Sequence, residues 1–218
     1  MIRIAPSLLS ANPLHVERDV LACQHAGADV LHVDVMDGHF VPPITFGPAL
    51  VKAIAGITTM PLDCHLMVTN PDHHIPQFVE AGAHWISVHA EACPHLHRTL
   101  QSIKGHRCTA GVVLNPATPL EYAFEAAGAA DFVLLMSVNP GYGGQAFITS
   151  FLRRCERLRT WLDAHGLNDV FIEVDGGIKI ENARSATSAG ASVLVSGSGL
   201  FAGNLASNIA AMRSTVEA

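Results

Sequence analysis

His32 and Asp34 stand two residues apart in the apolar run LHVDVMDG, His65 stands in LDCHLMV, and Asp175 ends FIEVD before a glycine pair. On a strand, a spacing of two puts both side chains on one face. Imidazole and carboxylate together suit a divalent cation such as Zn²⁺, Fe²⁺ or Mn²⁺. Two carboxylates beside such an ion can also move protons. The chemistry expected of this set is removal of a proton from carbon and its return.

Those residues need strands to hold them. Strand-like runs bounded by Gly, Pro or Asp recur at Ile2–Leu8, Val30–Met36, Leu62–Val68, Trp85–His89, Thr109–Leu114, Phe132–Val138, Val170–Val174 and Ser192–Ser196. Most are nearly continuous in aliphatic or β-branched residues, as strands covered on both faces of a parallel sheet must be. Helical periodicity lies between them. Leu14–Ala26 places Leu14, Val20, Leu21 and Ala26 on an apolar side, and Ile148–His165 alternates Phe151, Leu152, Leu158 and Leu162 with four arginines. Ala-Gly-Ala recurs at Ala26–Ala28, Ala81–Ala83 and Ala189–Ala191, with a fourth at Ala127–Ala129, and the glycine reads as a helix C-terminal cap. Eight βα units in 218 residues average about 27 each. The expectation is a closed (β/α)8 TIM barrel forming a single catalytic domain over 1–218. An open doubly wound sheet competes, but eight regular units without a two-fold break favour closure.

Composition narrows the partners. Apolar residues make up 49% and charged residues 15%, which fits a well-buried α/β domain. A net charge of −6 offers no basic field for nucleic acid or an anionic membrane, so any phosphate must be caught locally. Five scattered cysteines without a C-x-x-C pair point to a reducing cytoplasm. The opening MIRIAPSLLSANP is broken too soon for a signal peptide or membrane span and reads as a first strand.

In such barrels the active site lies at the C-terminal strand ends. By parity His32, Asp34 and Met36 share one face, as do Asp63, His65 and Met67, and also Glu173 and Asp175. If each set faces the axis, two histidines and two aspartates converge, with Asp34 and Asp175 flanking a ligand. One buried His or Asp would merely find a hydrogen-bond partner; four at matching depth accumulate too much desolvation cost without a cation. Met36, Met67 and Met136 are core filler or, with that set, a polarizable lid over a reacting carbon. Three glycine turns follow the last strands: Gly141-Tyr142-Gly143-Gly144, Gly176-Gly177 and Gly197-Ser198-Gly199. Glycine lets backbone N–H groups approach an anion, and a following helix N-terminus helps, so these turns suggest a monophosphate ester. Ser7 contacts substrate or closes a turn, Tyr142 acts as a lid or packs, and His89 lines the pocket at most. His73, His74, His95, His97, His106 and His165 read as solvated.

The same segments carry a resemblance. APSLLSAN, HVDVMDGHFVPPITFGP, DCHLMV, NPATPLE, LLMSVNPGYGGQAF, EVDGGI and GSGLF together resemble the ribulose-phosphate 3-epimerases, over almost the whole chain. The resemblance implies a TIM barrel that interconverts D-ribulose 5-phosphate and D-xylulose 5-phosphate, in the pentose phosphate pathway and in reductive cycles. It implies one divalent ion (Zn, Fe, Mn or Co) on His32, Asp34, His65 and Asp175, with Asp34 and Asp175 doubling as the acid–base pair around a cis-enediolate. Ser7 would contact substrate oxygens, as would His65; Met36, Met67 and Met136 would form a sulfur cap; and Gly141–Gly144, Gly176, Gly177, Gly197 and Ser198 would hold the phosphate. It also implies a homo-oligomer. Pro43 departs from the family, which commonly has Asn there. Allulose-6-phosphate 3-epimerases are similar in the metal strands, but Gly143-Gly144 and Gly176-Gly177 side with the pentulose enzymes. A metal-dependent hydrolase gives no reason for a Met cap and a phosphate grip, and a silent phosphosugar-binding protein gives none for four filled ligand positions.

Overall fold

The computed structural model describes residues 1–217; Ala218, the last residue of the expected domain, lies outside the described residues. Eight strands alternate with helices: β1 Arg3–Pro6, β2 Leu31–Met36, β3 Leu62–Met67, β4 Trp85–His89, β5 Thr109–Leu114, β6 Phe132–Met136, β7 Phe171–Asp175 and β8 Val193–Ser196. The helices are α1 Val16–His25, α2 Pro48–Ala55, α3 Pro71–Glu80, α4 Leu96–Gly105, α5 Glu121–Ala126, α6 Ser150–Ala164, α7 Ile180–Ser188, α8 Ser198–Phe201 and α9 Leu205–Glu217. All strand pairs are parallel, and the ladder runs β1-β8-β7-β6-β5-β4-β3-β2. Closure between β1 and β2 is slight, carried by a single parallel bridge from Ser7 to His32. The result is the nearly closed (β/α)8 barrel expected of the repeating pattern.

The continuous apolar runs follow from burial on both faces. Ile4, Val33, Cys64, Ile86, Val112, Val133, Ile172 and Leu194 point outward beneath the helices and join the main core. Their inward neighbours fill the barrel. Near its N-terminal end Trp85, Phe132 and Phe171 pack together, with Phe132 and Phe171 stacked at 5.0 Å, and the Arg3 guanidinium lies 5.0 Å from the Phe171 ring. Gly111 makes room for this layer, since a Cβ there would sit 2.3 Å from Phe132 Cζ.

Several expected boundaries move, each for a local reason. The first run was expected to Leu8, but β1 stops at Pro6, and Ser7 caps a short 3-10 turn by accepting a hydrogen bond from Leu9 N. The sixth stops at Met136, because the Ser137 hydroxyl turns back to the carbonyls of Asp175 and Gly176. Leu14, expected on the apolar side of a helix, precedes α1 and is 85% exposed. Three Ala-Gly-Ala phrases do end helices: Gly27, Gly82 and Gly190 take left-handed φ of 77°, 100° and 112°. The next residue in each donates back to the final turn, at 3.0–3.1 Å. The fourth corrects the expectation. Gly128 takes no left-handed φ, and Ala129 and Ala130 both donate to Ala126 O.

Candidate active site

The inward-facing residues change character at the C-terminal strand ends. β2 carries His32 and Asp34, β3 pairs with it in register so that Asp34 lies opposite His65, and β7 ends on Asp175. One ligand atom from each of these four residues lies within 4.8 Å of the others. His32 Nε2 is 3.4 Å from Asp34 Oδ1, while His65 Nδ1 is 3.6 Å from Asp34 Oδ1 and 3.9 Å from Asp175 Oδ2. Both of those ring nitrogens are buried and have no hydrogen-bond partner. Two unpartnered imidazole nitrogens facing two carboxylates at that spacing fit a divalent cation held by nitrogen and oxygen donors. The four residues that parity brought together on paper are brought together in space.

The remaining atoms of the set are tied down. Ser7 donates to Asp34 Oδ2 at 2.5 Å, leaving Oδ1 to face the imidazoles. Thr45 Oγ1 donates to the Asp34 carbonyl at 2.5 Å, so the loop after β2 folds back along its own strand. Pro43 sits in that return, where its carbonyl accepts from Gly38 N at 3.0 Å. Beneath the set, Asp63 Oδ2 lies 2.5 Å from His32 Nδ1, and Glu173 Oε1 lies 3.4 Å from the same nitrogen. His65 Nε2 meets His89 Nε2 at 2.9 Å, and His89 Nδ1 is 3.3 Å from Glu91 Oε2.

Electrostatics separates the two carboxylates. Burial alone would raise Asp34, but the neighbouring His32 and His65 imidazoles outweigh it and hold the carboxyl well below the usual range. Burial, together with the neighbouring Asp34 charge, pushes Asp175 up to about 6. Burial and Asp63 push Glu173 well up as well. Burial opposes charge on His32, yet Asp63 and Asp34 prevail and draw its pKa well above that of a free imidazole. The carboxylates thus attract positive charge to this point in the barrel. His89 is pushed by burial down to about 4. Burial would raise Glu91, but bonds from His89, Thr118 and the Asn115 amide hold it at about 2.

A cleft opens above the set. Asp34 and Asp175 line it, with Ser7 beside them, while His32 and His65 lie fully buried below. Met36, Met67 and Met136 line its wall, and Gly141, Tyr142, Gly143, Gly144, Gly176, Gly177, Gly197 and Ser198 line its rim. Tyr142 is 62% exposed at that edge. At Gly176, Gly177 and Gly197 the close packing of the rim leaves no room for a side chain. A Cβ on Gly177, at φ 64°, would fall 2.7 Å from Phe147 N, and one on Gly197 would fall 2.4 Å from Ser10 Oγ. Ser10, Gln145 and Ile178 also line the cleft and escaped the sequence reading. So did the supporting roles of Asp63 and Glu91. Asp63 had a legible signal, since it shares the parity of His65 and lies opposite His32 in register; Glu91 had none. Of the other histidines, His73, His95, His97, His106 and His165 are exposed and His74 is half-buried.

Residues 3–201 match the model of the ribulose-phosphate 3 epimerase family. A ribulose-phosphate 3-epimerase of Bacillus subtilis is 50% identical over 201 residues, covering 92% of this chain and 93% of its own. One from Escherichia coli is 48% identical over 200 residues, covering 91% and 88%. A chloroplastic ribulose-5-phosphate-3-epimerase of Arabidopsis thaliana is 48% identical over 202 residues, covering 92% and 72%. Among solved structures, a 3-hexulose-6-phosphate synthase superposes with a TM-score of 0.72 at 16% identity, covering 99% of this chain and 100% of that one. At that identity the likeness speaks for the fold alone. The chain belongs to the ribulose-phosphate 3-epimerase family.

Proposed function

We propose that this chain interconverts D-ribulose 5-phosphate and D-xylulose 5-phosphate by inverting C3, with residues 1–218 acting as one catalytic barrel. His32, Asp34, His65 and Asp175 hold one divalent ion, Zn, Fe, Mn or Co according to supply. The support for this set is its two partnerless imidazole nitrogens turned toward two carboxylates. When bound, such an ion supplies Lewis acidity toward the ketone and neighbouring hydroxyl oxygens of the sugar.

The observation that carries the reading is that Asp34 and Asp175 line one cleft from strands β2 and β7, across the barrel mouth. Inversion at C3 needs a proton removed from one face and returned on the other. A single base would tend to return it to the side it left. In one direction the Asp34 carboxylate takes the C3 proton, the C–H electron pair moves toward the ketone oxygen, and C3 becomes flat in the enediolate. The Asp175 carboxyl then delivers a proton to the opposite face. Ser7 holds Asp34 in orientation through its 2.5 Å bond. Met36, Met67 and Met136 cover the reacting carbon with polarizable surface and exclude water. The turns at Gly141–Gly144, Gly176-Gly177 and Gly197-Ser198 grip the remote phosphate through backbone N–H groups, and that grip orients C3. Tyr142 closes over the rim.

The setting follows from the same reading: pentose phosphate interconversion, in the cytoplasm, by a homo-oligomer. All five cysteines are free and buried, which suits a reducing compartment. The test is a side-by-side assay on ribulose 5-phosphate and allulose 6-phosphate, with bound metal measured. Strong turnover of the pentulose with about one ion per chain is expected. Preference for the hexulose, or full turnover after exhaustive chelation, contradicts the reading.

A further inference from the structure

We propose that Glu91 is a positioning residue that fixes, through His89, which nitrogen of His65 presents a lone pair to the cleft. The inference rests on the ion set proposed above and assigns a role outside it. A neutral imidazole has one N–H and one lone pair, whereas an ionised carboxylate only accepts. Oε2 of Glu91 lies 3.3 Å from His89 Nδ1, so that nitrogen carries the hydrogen. His89 Nε2 is then a lone pair, and it takes the hydrogen of His65 Nε2 across 2.9 Å. The order of donors leaves His65 Nδ1 bare, 3.6 Å from Asp34 Oδ1 and 3.9 Å from Asp175 Oδ2. Reversing every hydrogen would set the lone pair of His89 Nδ1 against the carboxylate and put a hydrogen on His65 Nδ1, where an ion must bind.

Glu91 is anchored from its other side. Its Oε1 accepts from the Asn115 amide at 2.9 Å and from the Thr118 hydroxyl, both in the loop after β5. The rings cannot turn freely either. His65 and His89 stack at 5.0 Å and 25°, and Phe40 lies 4.6 Å from His89. His32 has the shorter version of the same support, with Asp63 Oδ2 directly at its Nδ1, 2.5 Å away. Carboxylates behind metal-ligating imidazoles commonly fix tautomer and ring orientation. Here one of the two acts through an intervening ring.

The double anchoring makes one substitution diagnostic. In Glu91→Gln the two donors from Asn115 and Thr118 claim the amide oxygen, so the amide NH₂ turns to His89 Nδ1 and the chain of hydrogens reverses. Two measurements test this. NMR of the protein with isotope-labelled histidine reads the hydrogen on each ring nitrogen; His89 Nδ1–H and His65 Nε2–H are expected in the unaltered chain, and the opposite pair in Glu91→Gln. Zinc alone, titrated against a chromophoric chelator, reads affinity; a loss of roughly tenfold is expected for Glu91→Ala and roughly a hundredfold for Glu91→Gln. A role in holding the loop alone would make alanine the worse change. Unchanged tautomers in Glu91→Gln, or zinc affinity equal to that of the unaltered chain, overturn the proposal. Failure of the unaltered chain to bind zinc, with the tautomers as stated, contradicts the ion set and supports the relay.

Discussion

The two ends of the barrel interior are built from the same strands and the same inward parity, yet they share no chemistry. On β4, β6 and β7 the inward residue near the start is Trp85, Phe132 or Phe171, and four residues on it is His89, Met136 or Asp175. The floor is a stacked aromatic layer around Arg3, sealed by the absence of a side chain at Gly111. The mouth is a set of imidazoles and carboxylates held by Ser7, Asp63 and His89. Parity decides only that a residue enters the barrel. Depth along the strand decides whether it stabilises the fold or serves the cleft, as is general for barrels of this class.

The comparison can be broken from either end. At the mouth, Asp175→Asn removes the proposed proton donor while keeping the shape, and turnover should fall roughly 10²–10⁴-fold. Thermal melting should change little, because Asp175 is partly exposed and its neighbour Asp34 repels it. At the floor, Phe132→Ala empties a fully buried site and should cost about 3–5 kcal/mol of stability, read by urea titration. Its kcat should stay near that of the unaltered chain. A floor variant that lost turnover without losing stability would show that the two ends are coupled.

A smaller effect sharpens the contrast, since the mouth should titrate where the floor does not. Asp37, just past β2, accepts from Thr69 N, Thr69 Oγ1, His39 N and Phe40 N at 2.8–3.0 Å. Burial would raise it, but those donors prevail and lower it from 3.8 to about 2. A depressed carboxyl stabilises the fold above its unfolded pKa and loses that contribution as pH falls through the folded one. Asp37→Asn should therefore lower Tm at neutral pH, and the difference should vanish as pH falls from 3.8 to about 2. For Phe132→Ala the deficit should persist across the same window. Equal pH dependence in both variants would contradict this division.

Much of the architecture was legible because burial on both faces leaves continuous apolar strands, and because left-handed glycine ends three helices with the same three letters. The shared facing of His32 and Asp34 was legible for a simpler reason: a spacing of two on a strand leaves no choice of face. Partnerships across strands were harder. Asp63 was visible as a co-facial residue, but its bond to His32 depends on register and ring orientation. Ser7 read as a substrate contact or a turn, and it both caps a turn and orients Asp34. Glu91 lies in a short turn with no periodicity, and its importance comes from two loops meeting in space. Gly128 shows the limit of motif reading, since the phrase that ends three helices on a left-handed glycine has no left-handed glycine at the fourth.

The central claim is that two carboxylates exchange the C3 proton with solvent-derived protons from opposite faces. Incubation with ribulose 5-phosphate in D₂O, followed by NMR of the recovered sugars, tests it most directly. Deuterium should appear at C3 of the xylulose 5-phosphate and at no other carbon, and Asp175→Asn should all but abolish its formation. Label at C1, or xylulose 5-phosphate formed at full rate by Asp175→Asn, would contradict the account.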